Sequence, residues 1–282
     1  MAQMGSRTMR GIVAAVAVVA GSAALSGGAH AAQCGSGPAG FPAWEESFKR
    51  EAAAAGISPA VINSAFANVS YDQGVINKDR GQHVFKQSFE QFSARMISGG
   101  RLAKGKALMR SQARTLQAIQ SRFGVPGAVV IAIWGLETDY GVVRGNTPSF
   151  TALATLAYDC RRTAFFTKHL MDALRVVQRG DLTAREMRGA WAGEVGQAQF
   201  MPSAYYNYAV DFDGDGRADL IRSSTDTMAS IANYLRGHGW RPGAGWNPGE
   251  PNFAAIKEWN KADVYARTIA LFANKLQASV GQ

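Results

Sequence analysis

Apolar residues recur at helical spacing along most of the chain, and one stretch departs from the pattern by being apolar on every side. Over 41–67, Trp44, Phe48 and Ala52 share one face. After a break at 56–59, Val61, Ile62, Ala65 and Phe66 share another. Ser58 before Pro59 predicts an N-cap followed by proline at the first helical position. Val84, Phe85, Ser88, Phe89 and Phe92 continue the periodicity, and Gly99 with Gly100 is expected to interrupt it. A third helix, basic on its outer face, is predicted over 102–123 and ends at 124–126. Further helices are expected over 151–156, 165–178 and 227–235. A tail helix over 257–276 would place Trp259, Val264, Ile269, Phe272 and Leu276 inward. The 193–199 stretch reads as a loop, and no period-two strand or internal repeat appears. The fold class is mainly α.

The exceptional stretch is 128–136, which holds no charge and reads as a core helix buried nearly all round. Glu137 arrives as it ends, with Gly141 as a stop signal. A carboxyl held against apolar walls has its charged form disfavoured, so its pKa rises. That is the setting of a general acid. A core helix ending in a solvated Glu is the plainer alternative from this stretch alone.

Charge and cysteine content change the picture next. Thirty basic against 21 acidic residues give a formal charge of +9. Residues 1–31 read as a secretory signal, with Arg7 and Arg10 as the basic start, an apolar run over 11–25, and Ala29-His30-Ala31 as the cleavage site. Its removal would lower the charge by two. No later stretch reaches the roughly 18 apolar residues of a membrane span, so an exported periplasmic protein without stable membrane insertion is expected. Cys34 and Cys160, the only cysteines, then predict one disulfide in an oxidising compartment. The basic residues are scattered, without the aromatic interleaving of a nucleic-acid surface, which argues against nucleic acid and for an acidic polymer as partner.

The stretch 211–219 follows the start of an EF-hand loop. Asp211, Asp213, Asp215 and Asp219 stand at positions 1, 3, 5 and 9, Gly216 at position 6, and the Arg217 carbonyl is available at position 7. Four aspartates in nine residues repel one another unless a hard cation neutralises them. Position 12 is Arg222 instead of a bidentate Glu, so the standard loop does not close, and Asp226 is the next carboxylate. Structural Ca²⁺ is the expected cofactor, with no organic cofactor.

In order, the motifs are IWGLETDYG (133–141), ALATL (152–156), Arg161-Arg162 with Phe165-Phe166, WAG (191–193), GQAQFMPS (196–203), AVDFDGDG (209–216), ANY (232–234) and HGW (238–240). Together they resemble the lytic murein transglycosylase B family from about residue 41 onward. The resemblance implies a lysozyme-like transglycosylase core over 126–282, an N-terminal helical lobe over 41–125 after a short lead-in at 32–40, and an EF-hand-like calcium loop over 211–226. It implies Glu137 as the catalytic acid/base, and Gln199, Phe200, Met201 and Tyr234 lining a glycan cleft. It places Arg161 and Arg162 beside that cleft, facing carboxylates of stem peptides or lactyl groups. It makes Asp211, Asp213, Asp215, the Arg217 carbonyl and Asp226 the calcium ligands, and peptidoglycan strands the partner of a monomeric enzyme. Two positions depart from the family's pattern: Ala190 stands where Ser is frequent, and Glu194 where small apolar residues are common.

Glycoside hydrolysis ordinarily uses two carboxyls, about 5–5.5 Å apart for retention and about 6.5–9.5 Å for inversion. Asp139 is the nearest partner in sequence, but two helical positions turn it to the far side from Glu137. A single acid suits the non-hydrolytic route, in which a 1,6-anhydro end forms by attack of the sugar's own 6-hydroxyl. The rival readings are a hydrolytic muramidase with Glu194 or Asp139 as second carboxylate, and a non-catalytic peptidoglycan-binding module.

Overall fold

The computed structural model describes residues 32–81 and 87–279. The signal-like segment and His83, Val84 and Phe85 lie outside the described residues. Helices dominate: α1 (Phe41–Ala54), α2 (Pro59–Phe66), α3 (Gln73–Arg80), α4 (Phe89–Met96), α5 (Gly99–Ser111), α6 (Ala113–Phe123) and α7 (Gly127–Thr138). They continue with α8 (Ser149–Tyr158), α9 (Thr163–Arg179), α10 (Pro202–Tyr208), α11 (Ser224–Gly237), α12 (Phe253–Trp259) and α13 (Asp263–Gln277). One ladder interrupts them, β1 (Thr147–Pro148) antiparallel to β2 (Arg188–Gly189).

Side-chain caps set the starts of five helices. The Ser58 hydroxyl accepts from the Val61 N–H, as the Ser-Pro pair predicts. Asp72, Ser88, Ser98 and Ser223 cap α3, α4, α5 and α11 in the same way. Three expectations are corrected. Gly99 and Gly100 do not break a helix; they open α5, because the Ser98 cap outweighs their low propensity. The helix expected over 102–123 is two, α5 and α6, turning at Gln112. The tail is also two, because Asn260 leaves helical geometry and the Ala262 N–H is taken by the Asn260 side chain.

The core forms around α7. Every residue of that helix except Glu137 is buried, and α5, α6, α11 and α13 pack around it. Each buried Val, Ile or Leu contributes about 1.5–3 kcal/mol, so the all-round apolar sequence selects the central position. Gly124, left-handed at φ 75, ends α6. The chain then bends by 108° into α7. A second group joins α8 and α9 to α10, with α2 on α9 and α1 and α3 on α8. Cys34 and Cys160 are bonded across 126 residues, and the Gly35 N–H donates to the Tyr158 carbonyl at 2.9 Å. No single helix among the described residues is long and apolar enough to cross a membrane.

Candidate active site

The last turn of α7 opens into a cleft of about 400 Å³ lined by Glu137, Glu194, Gln199, Phe200, Met201, Tyr234, Trp259 and Asn260, with Ala190 and Ala204. Helix α7 stops because Asp139 and Tyr140 both adopt left-handed backbone, at φ 52 and 61. Such conformations cost about 1–3 kcal/mol outside glycine and persist only where surroundings impose them. Here Asp139 pairs with Arg101 at 3.1 Å, and the Tyr140 hydroxyl donates to the Arg101 carbonyl at 2.8 Å. The turn leaves Glu137 facing the cleft while Asp139 faces α5, as the helical phase predicts.

Glu137 Oε1 accepts two hydrogen bonds, from Trp259 Nε1 and the Tyr265 hydroxyl, each 2.8 Å long. Burial nevertheless prevails and pushes the carboxyl up to about 7; the two donors pull the other way, and the charge of Glu194 adds to the rise. Burial, then the charge of Glu137, holds the Tyr265 phenol well above its ordinary value. Tyr265 therefore remains a donor at any physiological pH.

The opposite wall is the 195–200 segment. Val195 and Phe200 exchange backbone hydrogen bonds at 2.8 and 3.1 Å. Between them Gln199 is left-handed at φ 49, and its amide NH₂ donates to the carbonyls of Gly196 and Arg144. The wall is fastened to the acid's helix, since the Thr138 hydroxyl donates to the Gln197 carbonyl at 2.6 Å and Trp134 Nε1 donates to the Gln197 side chain at 3.2 Å. Phe200, Tyr234 and Trp259 form an aromatic floor with centroids 5.0–5.6 Å apart. The Tyr234 hydroxyl donates to the Glu258 carbonyl, and burial pushes its pKa up to about 12.

Of the residues expected here, Glu137, Gln199, Phe200, Met201 and Tyr234 come together. Arg161 and Arg162 do not line this cleft; both guanidiniums are engaged by the buried carboxylate of Asp79. The pairing answers a buried charge that needs neutralising. Trp259 and Tyr265, which touch the acid directly, were not singled out from sequence as its partners. Their signal is faint: two aromatics in the tail, 122 and 128 residues from Glu137.

In the acidic loop, carboxylate oxygens of Asp211, Asp213 and Asp226 lie within 4.8 Å of one another. Asp226 is fully buried, and its oxygens accept the N–H groups of Phe212, Asp213 and Asp219. Asp215 is not part of this group and accepts the Arg217 N–H instead; the Arg217 guanidinium sits 4.0 Å from Asp219. Three hard oxygen donors converging from a loop and a helix start fit a calcium ion. Asp219 pairs with Arg222 at 2.7 Å. That side chain takes the place of the usual closing glutamate.

A profile of the transglycosylase SLT domain family matches residues 40–249. A 138-residue stretch is 39% identical to the membrane-bound lytic murein transglycosylase B of Escherichia coli (strain K12), covering 46% of this chain and 38% of that protein. SltB3 from Pseudomonas aeruginosa, solved in complex with NAG-anhNAM-pentapeptide, shares 31% identity at a TM-score of 0.79, over 84% of this chain and 79% of that one. An Escherichia coli lytic transglycosylase solved in complex with calcium has the same fold at a TM-score of 0.74 and 22% identity, over 89% of this chain and 97% of that one. The mainly helical, lysozyme-like architecture expected from the motifs is the one these structures share.

Proposed function

The chain belongs to the transglycosylase SLT domain family, and from that premise we propose that it cleaves the β-1,4 bond between N-acetylmuramic acid and N-acetylglucosamine in peptidoglycan without consuming water. Glu137, protonated, gives its proton to the glycosidic oxygen, and the C1–O bond breaks. The developing positive charge at C1 is met by the sugar's own acetamido group. Glu137, now a carboxylate, takes the proton of the 6-hydroxyl as that oxygen closes onto C1. The product is a 1,6-anhydromuramyl end, and Glu137 is protonated again. One group serving as acid and then base needs a pKa near the working pH.

The observation that carries this reading is a cleft carboxyl held near neutrality by burial while two donors grip one of its oxygens. The aromatic floor suits N-acetylated sugars, and the SltB3 relative is described with NAG-anhNAM-pentapeptide and NAG-NAM-pentapeptide. The acidic loop is read as a structural calcium site, with Asp211, Asp213 and Asp226 as its central ligands. When bound, the ion would neutralise those carboxylates and fix the loop. The signal-like leader supports export to the periplasm and action there as a monomer on peptidoglycan strands.

Glu194, in the same cleft, is the specific observation that favours a second reading, a muramidase using water. Mass spectrometry of digested, purified peptidoglycan separates the two. Anhydro ends are expected; reducing ends would make the enzyme a hydrolase, and no cleavage would leave a binding module.

A further inference from the structure

Glu194 is a second carboxyl that the structure brings to the cleft of Glu137. Both carboxyls line one cleft. Glu194 comes from the turn over 192–196, where Gly193 and Gly196 are left-handed at φ 95 and 76. One of its oxygens accepts the Ala192 N–H at 3.1 Å. Among the described residues, no Lys, Arg or His forms an ion pair with either Glu194 or Glu137.

The other charges around Glu137 are already matched. In its own helix cap, Asp139 is paired with Arg101 of α5, and Lys104 of α5 donates to the Asp139 carbonyl. On α12, Glu258 is paired with Lys261. Tyr140, Tyr234 of α11 and Tyr265 of α13 are neutral phenols whose ionisation is pushed up by burial. Glu194, whose own carboxyl burial also pushes up, is thus a like charge that faces the acid with no cation paired to it among the described residues. Two carboxylates in one poorly solvated cleft, with no cation between them, cannot both ionise at full strength, and they titrate as a pair.

We propose that Glu194 is a positioning residue for the reaction's proton: its negative charge keeps that proton on Glu137 until the glycosidic oxygen arrives. Glu194 touches no reacting atom in this role and acts only through Glu137. The inference rests on the transglycosylase reading above.

The test is the pH dependence of kcat/KM on purified glycan strands for wild type, E194Q, E194D and E194A. Without the charge, Glu137 releases its proton more readily. The alkaline limb in E194Q should therefore move to lower pH by at least about half a unit, the smaller value expected for two nearby charges. E194D, which keeps the charge, should leave the limb at its wild-type position. E194A removes the carboxyl altogether and repeats the measurement if the amide variant does not fold. A limb that stays in place in both E194Q and E194A overturns the inference. So does a loss of turnover uniform in pH, or an effect confined to KM. E137Q assayed in parallel keeps the two readings apart: surviving turnover refutes the transglycosylase assignment, whereas a dead E137Q with an unmoved E194Q limb refutes only the role of Glu194.

Discussion

Keeping the Glu137 carboxyl out of water costs the folded protein stability once it ionises. Its folded pKa of about 7 lies above the 4.5 of an ordinary glutamate, so the native state holds a proton that the unfolded chain releases. The sign follows: the native state is favoured below pH 4.5 and loses stability as pH rises from there through 7. Above that window the buried carboxylate costs about 1–3 kcal/mol. Glu137→Gln removes the charge while its amide oxygen can still accept from Trp259 and Tyr265. It is expected to abolish turnover, to melt several degrees above wild type at pH 8, and to lose that advantage at pH 4. Equal melting temperatures at both values would show that the carboxyl is not held out of water. The position of this acid was legible because a charge at the edge of an uncharged helix is a local signal. Its donors were not, because nothing local ties Trp259 and Tyr265 to residue 137. Arg161 and Arg162 show a related limit: sequence shows two cations but not the buried Asp79 that both reach.

At the scale of elements, the acidic loop and the cleft wall are one mechanical unit. The Gln197 N–H donates to the Leu220 carbonyl at 2.7 Å, and the Gln197 side chain donates to the Ile221 carbonyl at 3.1 Å. Arg144 reaches that same Ile221 carbonyl at 2.6 Å. Gly196 is left-handed, and a Cβ there would lie 2.6 Å from the Leu220 oxygen, so the two segments touch backbone to backbone. Loosening the loop loosens the wall that carries Gln199. EDTA is expected to lower both the melting temperature and turnover, and added calcium to restore both. A melting curve indifferent to either reagent would remove the site. The start of α2 was readable because Ser58 and Pro59 are written next to its periodicity, whereas α3, only eight residues long behind Asp72, has too little apolar periodicity to show. The breaks at Gln112 and Asn260 were not readable, since each depends on how two helices must turn to reach α7.

Across the whole molecule, the bond between Cys34 and Cys160 fastens the lead-in to the end of α8, beside the Arg80–Asp159 ion pair. Closing a loop of 126 residues restricts the unfolded chain far more than the folded one. Replacing both cysteines by serine is expected to cost about 2–4 kcal/mol in denaturant unfolding. Turnover per folded molecule should hardly change, because the bond lies away from the cleft; an unchanged midpoint would show that the lead-in adds nothing. The compartment argument made this pairing legible, since two cysteines in a chain read as exported leave one intramolecular choice.

The two donors on Glu137 have a consequence for where this enzyme can be cut. The stretch shared with the family ends at residue 249, yet Trp259 and Tyr265 come after it, and α13 is packed directly on the helix that carries the acid. The unit that surrounds Glu137 is therefore larger than the stretch by which the family is recognised. A chain trimmed at that boundary would keep every motif by which the family is known and lose both donors that grip the Glu137 oxygen.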